Sequence, residues 1–160
     1  MRETSEIISK RIRGELADLE RVVQRALSIW EKAARFPEET AYLEAAALNL
    51  HSFYSGVERI FNLIALHIDG WTPRGEAWHR ELLDRMAEDI PDIRPAVIST
   101  SLVQILDEFR RFRHLVRNVY TFNLDPQRMR PLMEQLPSLW QALRTELLAF
   151  ADFLEWLHSG

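Results

Sequence analysis

A run of basic residues in the second half of the chain has residue types that suit phosphate chemistry. Residues 109–120 read FRRFRHLVRNVY, and a helical turn of about 100° per residue puts their apolar side chains along one stripe. The opposite side carries the basic residues Arg110, Arg113, His114 and Arg117, with Asn118 beside them. Guanidinium groups bind oxyanions through paired hydrogen bonds, and histidine exchanges protons near neutral pH. Such a face could hold a phosphate and move a proton next to it.

A second interpretation of the same face needs no ligand. Three arginines on one side of a helix repel one another unless an anion lies among them, and that anion can be a phosphate or a carboxylate. A solvated face whose arginines pair with acids of the third or fifth helical segment would also satisfy the pattern. Glu58, a charged residue in an otherwise apolar segment, is expected to pair with one of these arginines. That pair could be structural, or it could orient a cleft.

Several other chemistries lack their residues. The chain has no cysteine, which excludes thiol nucleophiles, disulfides and cysteine zinc sites. The five histidines show no HExxH spacing and no acidic cluster beside them, so we expect no metal. A glycine-rich phosphate loop is also missing from the sequence, so we expect neither an ATPase nor a nucleotidyltransferase, and we expect no cofactor.

Proline and glycine clusters divide the chain into helical segments. Apolar residues recur at spacings of three and four within these segments, and none shows the two-residue alternation of a strand. The predicted segments are approximately residues 5–35, 38–68, 76–89, 99–121 and 126–157. Because the connections are short, consecutive helices should lie antiparallel. The sequence predicts an all-α, single-domain antiparallel bundle of four long helices and one short helix over residues 1–160.

Turn chemistry predicts some of the helix ends. Ser99, Thr100 or Ser101 can cap the fourth segment, and Asp125 before a proline suits the start of the fifth. Prolines at positions 131 and 137 are expected to bend or interrupt the first half of that last helix.

Composition limits the partners of the chain. With 160 residues, 47% hydrophobic and 28% charged, it is expected to fold as a globular protein. The net charge of −4 argues against a protein that coats nucleic acid with its whole surface. No stretch has the apolar character of a signal peptide or a membrane span, so we expect a cytoplasmic protein without a membrane partner.

The string RHLVRNVY at residues 113–120 resembles the signature of the HEPN superfamily, in its HepT-like branch. That signature is Arg, four intervening residues, His, one residue, Tyr. The similarity extends to residues 49–61, 78–83 and 147–156. The resemblance implies a helical bundle that forms a homodimer and, in active members, cleaves RNA without a metal in a cleft shared by both subunits. It also implies a toxin whose partner, an MNT-type nucleotidyltransferase antitoxin, silences it by transferring AMP to the motif tyrosine.

The motif departs from this pattern at one position. With Arg113 as the motif arginine and Tyr120 as the AMP acceptor, the histidine position holds Asn118. An amide can donate a hydrogen bond to a phosphate but cannot exchange a proton near pH 7. His114, about one turn earlier, could serve the same cleft. The predicted site has Arg113, His114 and Asn118 as catalytic residues, Arg110 and Arg117 as RNA or phosphate ligands, and Glu58 in support.

Two functions follow from the resemblance and its departure. The first is a toxin that acts as a metal-independent RNA endonuclease. The second is a non-catalytic HEPN subunit that binds an MNT partner, or RNA, without cleavage.

Overall fold

The computed structural model describes residues 2–118 and 124–159, and these form five α-helices. They are α1 (Arg2–Arg35), α2 (Thr40–Ile64), α3 (Trp78–Met86), α4 (Thr100–Asn118) and α5 (Pro126–Ser159). A π-helical turn, Ala65–Asp69, continues α2. Among the described residues the only extended pairing is an isolated bridge between Ile90 and Arg94. The predicted all-α bundle of four long helices and one short helix is confirmed.

The predicted caps lie at the observed helix ends. The backbone N–H of Leu102 donates to Ser99 Oγ at 3.4 Å, so Ser99 is the residue of the predicted three that caps α4. At the start of α5 the N–H of Gln127 donates to Asp125 Oδ1 at 2.9 Å. Gly70, with a φ of 66°, closes the π-helical turn in the left-handed conformation that glycine tolerates best.

The fifth helix differs from its expected form. It continues through Pro131 and Pro137, so of the two expected effects, a bend or an interruption, the interruption is wrong. Both prolines are exposed, whereas Leu132 and Leu136 on the other side of α5 are buried in the core. Each proline removes one helical hydrogen bond, but on the solvent side water can satisfy the carbonyl that loses its partner.

The core is one apolar cluster to which all five helices contribute. The second helix is deeply buried, and its Phe53, Tyr54 and Phe61 are fully covered. Gly56 lets α1 approach α2 closely, because a Cβ atom at this position would lie 2.6 Å from Leu19 Cδ2. The third helix contacts both α2 and α4, which places it over the face that carries the motif.

A buried ion pair, which we call the Asp69–Arg94 clasp, fixes the connection between α3 and α4. Both side chains are fully buried, with Arg94 Nε 2.6 Å from Asp69 Oδ1 and Nη2 2.8 Å from Oδ2. Arg94 also donates to the backbone carbonyls of Glu88 and Pro95. Arg85 of α3 adds a bond of 2.8 Å to the same carboxylate. The clasp therefore holds α3 and the entry to α4 against the end of the π-helical turn.

Candidate functional site

The motif arginine is buried in an ion pair between α2 and α4. Arg113 and Glu58 each expose only 6% of their surface. Arg113 Nη1 lies 3.1 Å from Glu58 Oε1, and Nη2 lies 3.1 Å from Oε2, which is the bidentate geometry of a strong pair. The guanidinium also lies over the ring of Tyr54, 4.8 Å from its centroid. The expected pairing of Glu58 with an arginine of this helix is confirmed.

His79 of α3 joins this pair from the side of the solvent. Its Nδ1 lies 2.7 Å from Glu58 Oε2 and 3.0 Å from Arg113 Nη2. An ionised carboxylate only accepts hydrogen bonds, so the short distance to Glu58 assigns the proton to Nδ1. Arg113 Nη2 therefore donates its hydrogen bond to Glu58 and not to Nδ1 of His79, although it lies close to both. The ring of Trp78 lies against the imidazole, with a centroid distance of 3.6 Å.

Tyr54 lies beneath these charges and stays neutral. Its hydroxyl is buried and has no hydrogen-bond partner in the part of the chain that the structure describes. Burial, reinforced by the negative charge of Glu58, raises the pKa of Tyr54 far above its ordinary value. Tyr54 therefore packs beneath the Arg113 guanidinium and holds its proton at physiological pH.

A second buried carboxylate, Asp107, organises the exposed arginines. Arg110 Nε lies 2.7 Å from Asp107 Oδ1, and Arg80 Nη1 and Arg111 Nε lie 2.8 Å and 3.0 Å from Oδ2. Burial alone would raise the pKa of Asp107, but the hydrogen bond from Arg110 and the attraction of Arg110 and Arg80 lower it below its ordinary value. One further acid, Asp84, pairs with Arg80. Three arginines thus share two carboxylates, and this group keeps one positive charge.

The acids that pair with the motif arginines do not come from the helices that the sequence predicted. The carboxylates that pair with Arg113 and Arg110 come from α2 and from α4 itself, so the expectation of acids from the third or fifth helix is wrong for these two arginines. The reason is geometric, because α3 brings its own Arg80 toward Asp107 and adds positive charge to this face.

A groove of about 450 Å³ opens between the start of α3 and the middle of α4. We call it the α3–α4 groove. Its polar and aromatic lining consists of Glu76, Trp78, His79, Arg80, Arg110 and His114. Two imidazoles and two guanidinium groups therefore border one hollow, which suits an anionic ligand whose reaction requires proton transfer.

The structure brings together part of the predicted site. Arg110 and His114 line the groove, while Arg113 and Glu58 lie buried behind His79. Tyr120 lies outside the described residues, as do the side chains of Arg117 and Asn118. The catalytic and binding roles assigned to these residues remain predictions.

Sequence reasoning missed three polar residues of this site. They are His79, Arg80 and Asp107. The first two belong to the 78–83 stretch that contributes to the family resemblance, and this was the only signal for them in the sequence. Asp107 precedes Arg110 and Arg111 by three and four residues, a helical spacing that favours ion pairs.

Two further kinds of feature do not occur among the described residues. None of the described helices combines the length and the apolar character that a membrane span requires. No group of three or more histidine and carboxylate side chains within residues 2–118 and 124–159 is arranged to hold a metal ion.

Comparison with known proteins identifies a family. The model of a family described as HepT-like protein matches residues 45–154. No curated protein and no solved structure matches the chain. The matched span includes every residue that lines the α3–α4 groove, together with Glu58 and Arg113.

Proposed function

The chain belongs to the HepT-like protein family, and we propose that it is the toxin component of a HEPN/MNT toxin–antitoxin pair and a metal-independent RNA endonuclease. The α3–α4 groove supports this proposal most directly, because it places His79, His114, Arg80 and Arg110 around one hollow next to the motif. Cleavage of RNA by its own 2′-hydroxyl needs groups that bind a phosphodiester and groups that move protons. The groove offers both kinds.

The proposal assigns a role to each motif residue. Arg110 and Arg117 bind RNA phosphates, and His114 transfers a proton. Arg113 holds Glu58 and lends its positive charge to the phosphate, while Asn118 donates a hydrogen bond in the position of the motif histidine. In the proposed homodimer, the clefts of both subunits face each other, so each RNA strand meets residues of two chains.

Specific observations favour a second candidate, a non-catalytic HEPN subunit. The motif histidine is replaced by Asn118, and the guanidinium of Arg113 is committed to Glu58 with only 6% of the residue exposed. A chain of this kind would bind RNA or an MNT-type nucleotidyltransferase through the same groove without cutting.

An RNA cleavage assay in the presence of EDTA separates the two candidates. The endonuclease predicts cleavage without metal, and Arg110→Ala or His114→Ala should reduce the rate about tenfold or more, because each removes a group from the reacting centre. Arg25→Ala, an exposed arginine on α1, is the matched control and should leave the rate unchanged. RNA binding without cleavage would favour the second candidate. A protein that neither binds nor cleaves RNA would contradict both RNA-based functions.

The antitoxin part of the proposal requires a separate test. Coexpression with a neighbouring MNT-type nucleotidyltransferase should add an AMP-sized mass to the wild type, measured on the intact protein. The increment should disappear in Tyr120→Phe and persist in Tyr42→Phe, since position 42 lies on α2 outside the motif. The AMP group would set a bulky anion beside the motif arginines and block RNA. An unmodified wild type with an active transferase would argue against this partner.

The proposed role also places the protein in the cytoplasm. A toxin that acts on cellular RNA and is silenced by a nucleotidyltransferase must meet both of them in that compartment.

A further inference from the structure

A row of three side chains crosses from the core to the α3–α4 groove. Arg113 binds Glu58 through two hydrogen bonds of 3.1 Å, and Glu58 accepts the Nδ1–H of His79 at 2.7 Å. The first two members are buried, whereas the side chain of His79 is 27% exposed and lines the groove. The row therefore connects a fixed internal charge to an imidazole at the surface of the groove.

The hydrogen bond to Glu58 determines which nitrogen of His79 can act on a ligand. With the proton on Nδ1, the neutral ring carries its lone pair on Nε2. The contacts with Glu58 and Arg113 both use Nδ1, so Nε2 is the nitrogen that can address a molecule in the groove. A carboxylate that binds Nδ1–H fixes the tautomer and stabilises the imidazolium that forms when Nε2 takes up a proton.

We propose that His79 is the general base of RNA cleavage, with Glu58 as its positioning residue. This inference rests on the proposed endonuclease function and supplies the proton acceptor that Asn118 cannot provide. The family motif locates its histidine on α4, whereas the geometry assigns the role to α3 in this chain.

The proposed step balances as an internal transesterification. Nε2 of His79 removes the proton from the ribose 2′-hydroxyl, and the 2′-oxygen forms a bond to the adjacent phosphorus. The bond from phosphorus to the 5′-oxygen breaks, and that oxygen takes a proton from the imidazolium of His114. The products are a 2′,3′-cyclic phosphate and a 5′-hydroxyl. Proton exchange with water then returns both histidines to their starting forms.

Charged and titratable groups of α2, α3 and α4 surround His79. Glu58 faces it from α2, whereas Arg113, Arg110 and His114 lie on α4. Arg80 is its neighbour on α3, and Glu76 lies in the turn before that helix. A base and an acid of the same residue type, which must start in opposite protonation states, give a bell-shaped dependence of cleavage on pH.

His79→Asn is the discriminating variant. An asparagine at position 79 can still donate to Glu58 but has no basic nitrogen, so the buried pair keeps a partner. RNA cleavage should fall about 100-fold or more, which is the lower range for a general base. Binding of an RNA with a deoxyribose at the cleavage site should stay within about twofold, because that ligand binds without needing the base. The acidic limb of the pH profile should disappear.

His67→Asn is the matched control, because His67 is an exposed histidine of the π-helical turn outside the groove. It should cleave RNA at the wild-type rate. Thermal unfolding of each variant verifies the fold, and His79→Gln removes the same base with a different side-chain length as a second variant.

The outcomes distinguish the inference from the function on which it rests. If the wild type cleaves RNA and folded His79→Asn or His79→Gln cleaves it equally well, His79 is not the base, although the endonuclease function stands. If the wild type binds RNA and does not cleave it at any pH, the inference is overturned and the non-catalytic function remains. Absence of both binding and cleavage overturns the two together.

Discussion

At the scale of single residues, the Glu58–Arg113 pair should be costly to break. Removal of one partner leaves a charge buried without compensation, which destabilises proteins by about 3–5 kcal/mol. Glu58→Ala is therefore expected to lower the free energy of unfolding by about that amount. Urea denaturation measures it. Glu15→Ala is the control, because its partner Arg59 is largely exposed, and the pair should contribute less than about 1 kcal/mol. Equal losses in the two variants would contradict the importance of burial.

The ion pairs of Asp107 should make part of the free energy of unfolding depend on pH. The pKa of Asp107 in the folded protein lies below its ordinary value, so the unfolded chain binds this proton more readily. The stabilisation is present above the ordinary aspartate pKa of about 3.9 and is lost as the pH falls toward the lowered pKa of the folded state. The difference in urea midpoint between wild type and Asp107→Asn should therefore narrow as the pH falls from about 6 to about 3.

The control for this prediction is Asp84→Asn. This variant removes the half-exposed carboxylate that pairs with Arg80 in the same group of arginines. Because exposed ion pairs contribute little to stability, its urea midpoint should stay close to that of the wild type. A gap between wild type and Asp107→Asn that stays constant over the whole pH range would contradict the linkage.

Residue types alone predicted one of these contacts and missed another. Glu58 is a charge within an apolar helix, so its need for a basic partner could be read from the sequence. His79 is a single histidine in a short amphipathic helix, and nothing local connects it to Glu58, 21 residues away, or to Arg113, 34 residues away. Its position depends on how α3 packs, which is a tertiary property.

At the scale of the helices, two glycines should respond oppositely to alanine. Both lie inside helices, where replacement of glycine by alanine gains up to about 1 kcal/mol. At Gly14 a Cβ atom would meet nothing within 4 Å, so Gly14→Ala should gain that amount. At Gly56 the Cβ atom would collide with Leu19, and overpacking of a core costs about 1–3 kcal/mol. Gly56→Ala should therefore destabilise the protein by up to about 2 kcal/mol. Thermal or urea unfolding measures both changes in stability. Equal gains in Gly14→Ala and Gly56→Ala would contradict the close approach of α1 and α2.

The helices were predictable because their signals are local. Apolar spacing and the caps at Ser99 and Asp125 depend only on neighbouring residues, and they located the elements to within a few positions. Whether the prolines at 131 and 137 interrupt α5 could not be predicted in this way, because their effect depends on which side of α5 faces the core. The change from α- to π-helical bonding after Ile64 had no signal that sequence reasoning used.

At the scale of the whole molecule, the proposed homodimer can be tested with an introduced thiol. The chain has no cysteine, so His114→Cys creates a single reactive site in the α3–α4 groove. A two-fold axis near the shared cleft should bring the two copies close enough for a disulfide, and oxidation should yield a covalent dimer. Arg25→Cys on α1 is the control and should stay uncrosslinked. Light scattering of the wild type at micromolar concentration gives the oligomeric state independently, and a monomer there would count against the dimer.

Because of the Asp69–Arg94 clasp, ionic strength should affect RNA binding without changing how α3 and α4 are arranged. Both of its side chains are fully buried, so dissolved ions reach them poorly. Arg80 and Arg110, by contrast, retain solvent exposure and would exchange counterions for RNA phosphates. Added salt should then weaken RNA association while the groove keeps its form. For a single strand, the slope of log affinity against log salt concentration is about −0.7 per neutralised phosphate. The measured slope would therefore give the number of phosphates that bind in the groove.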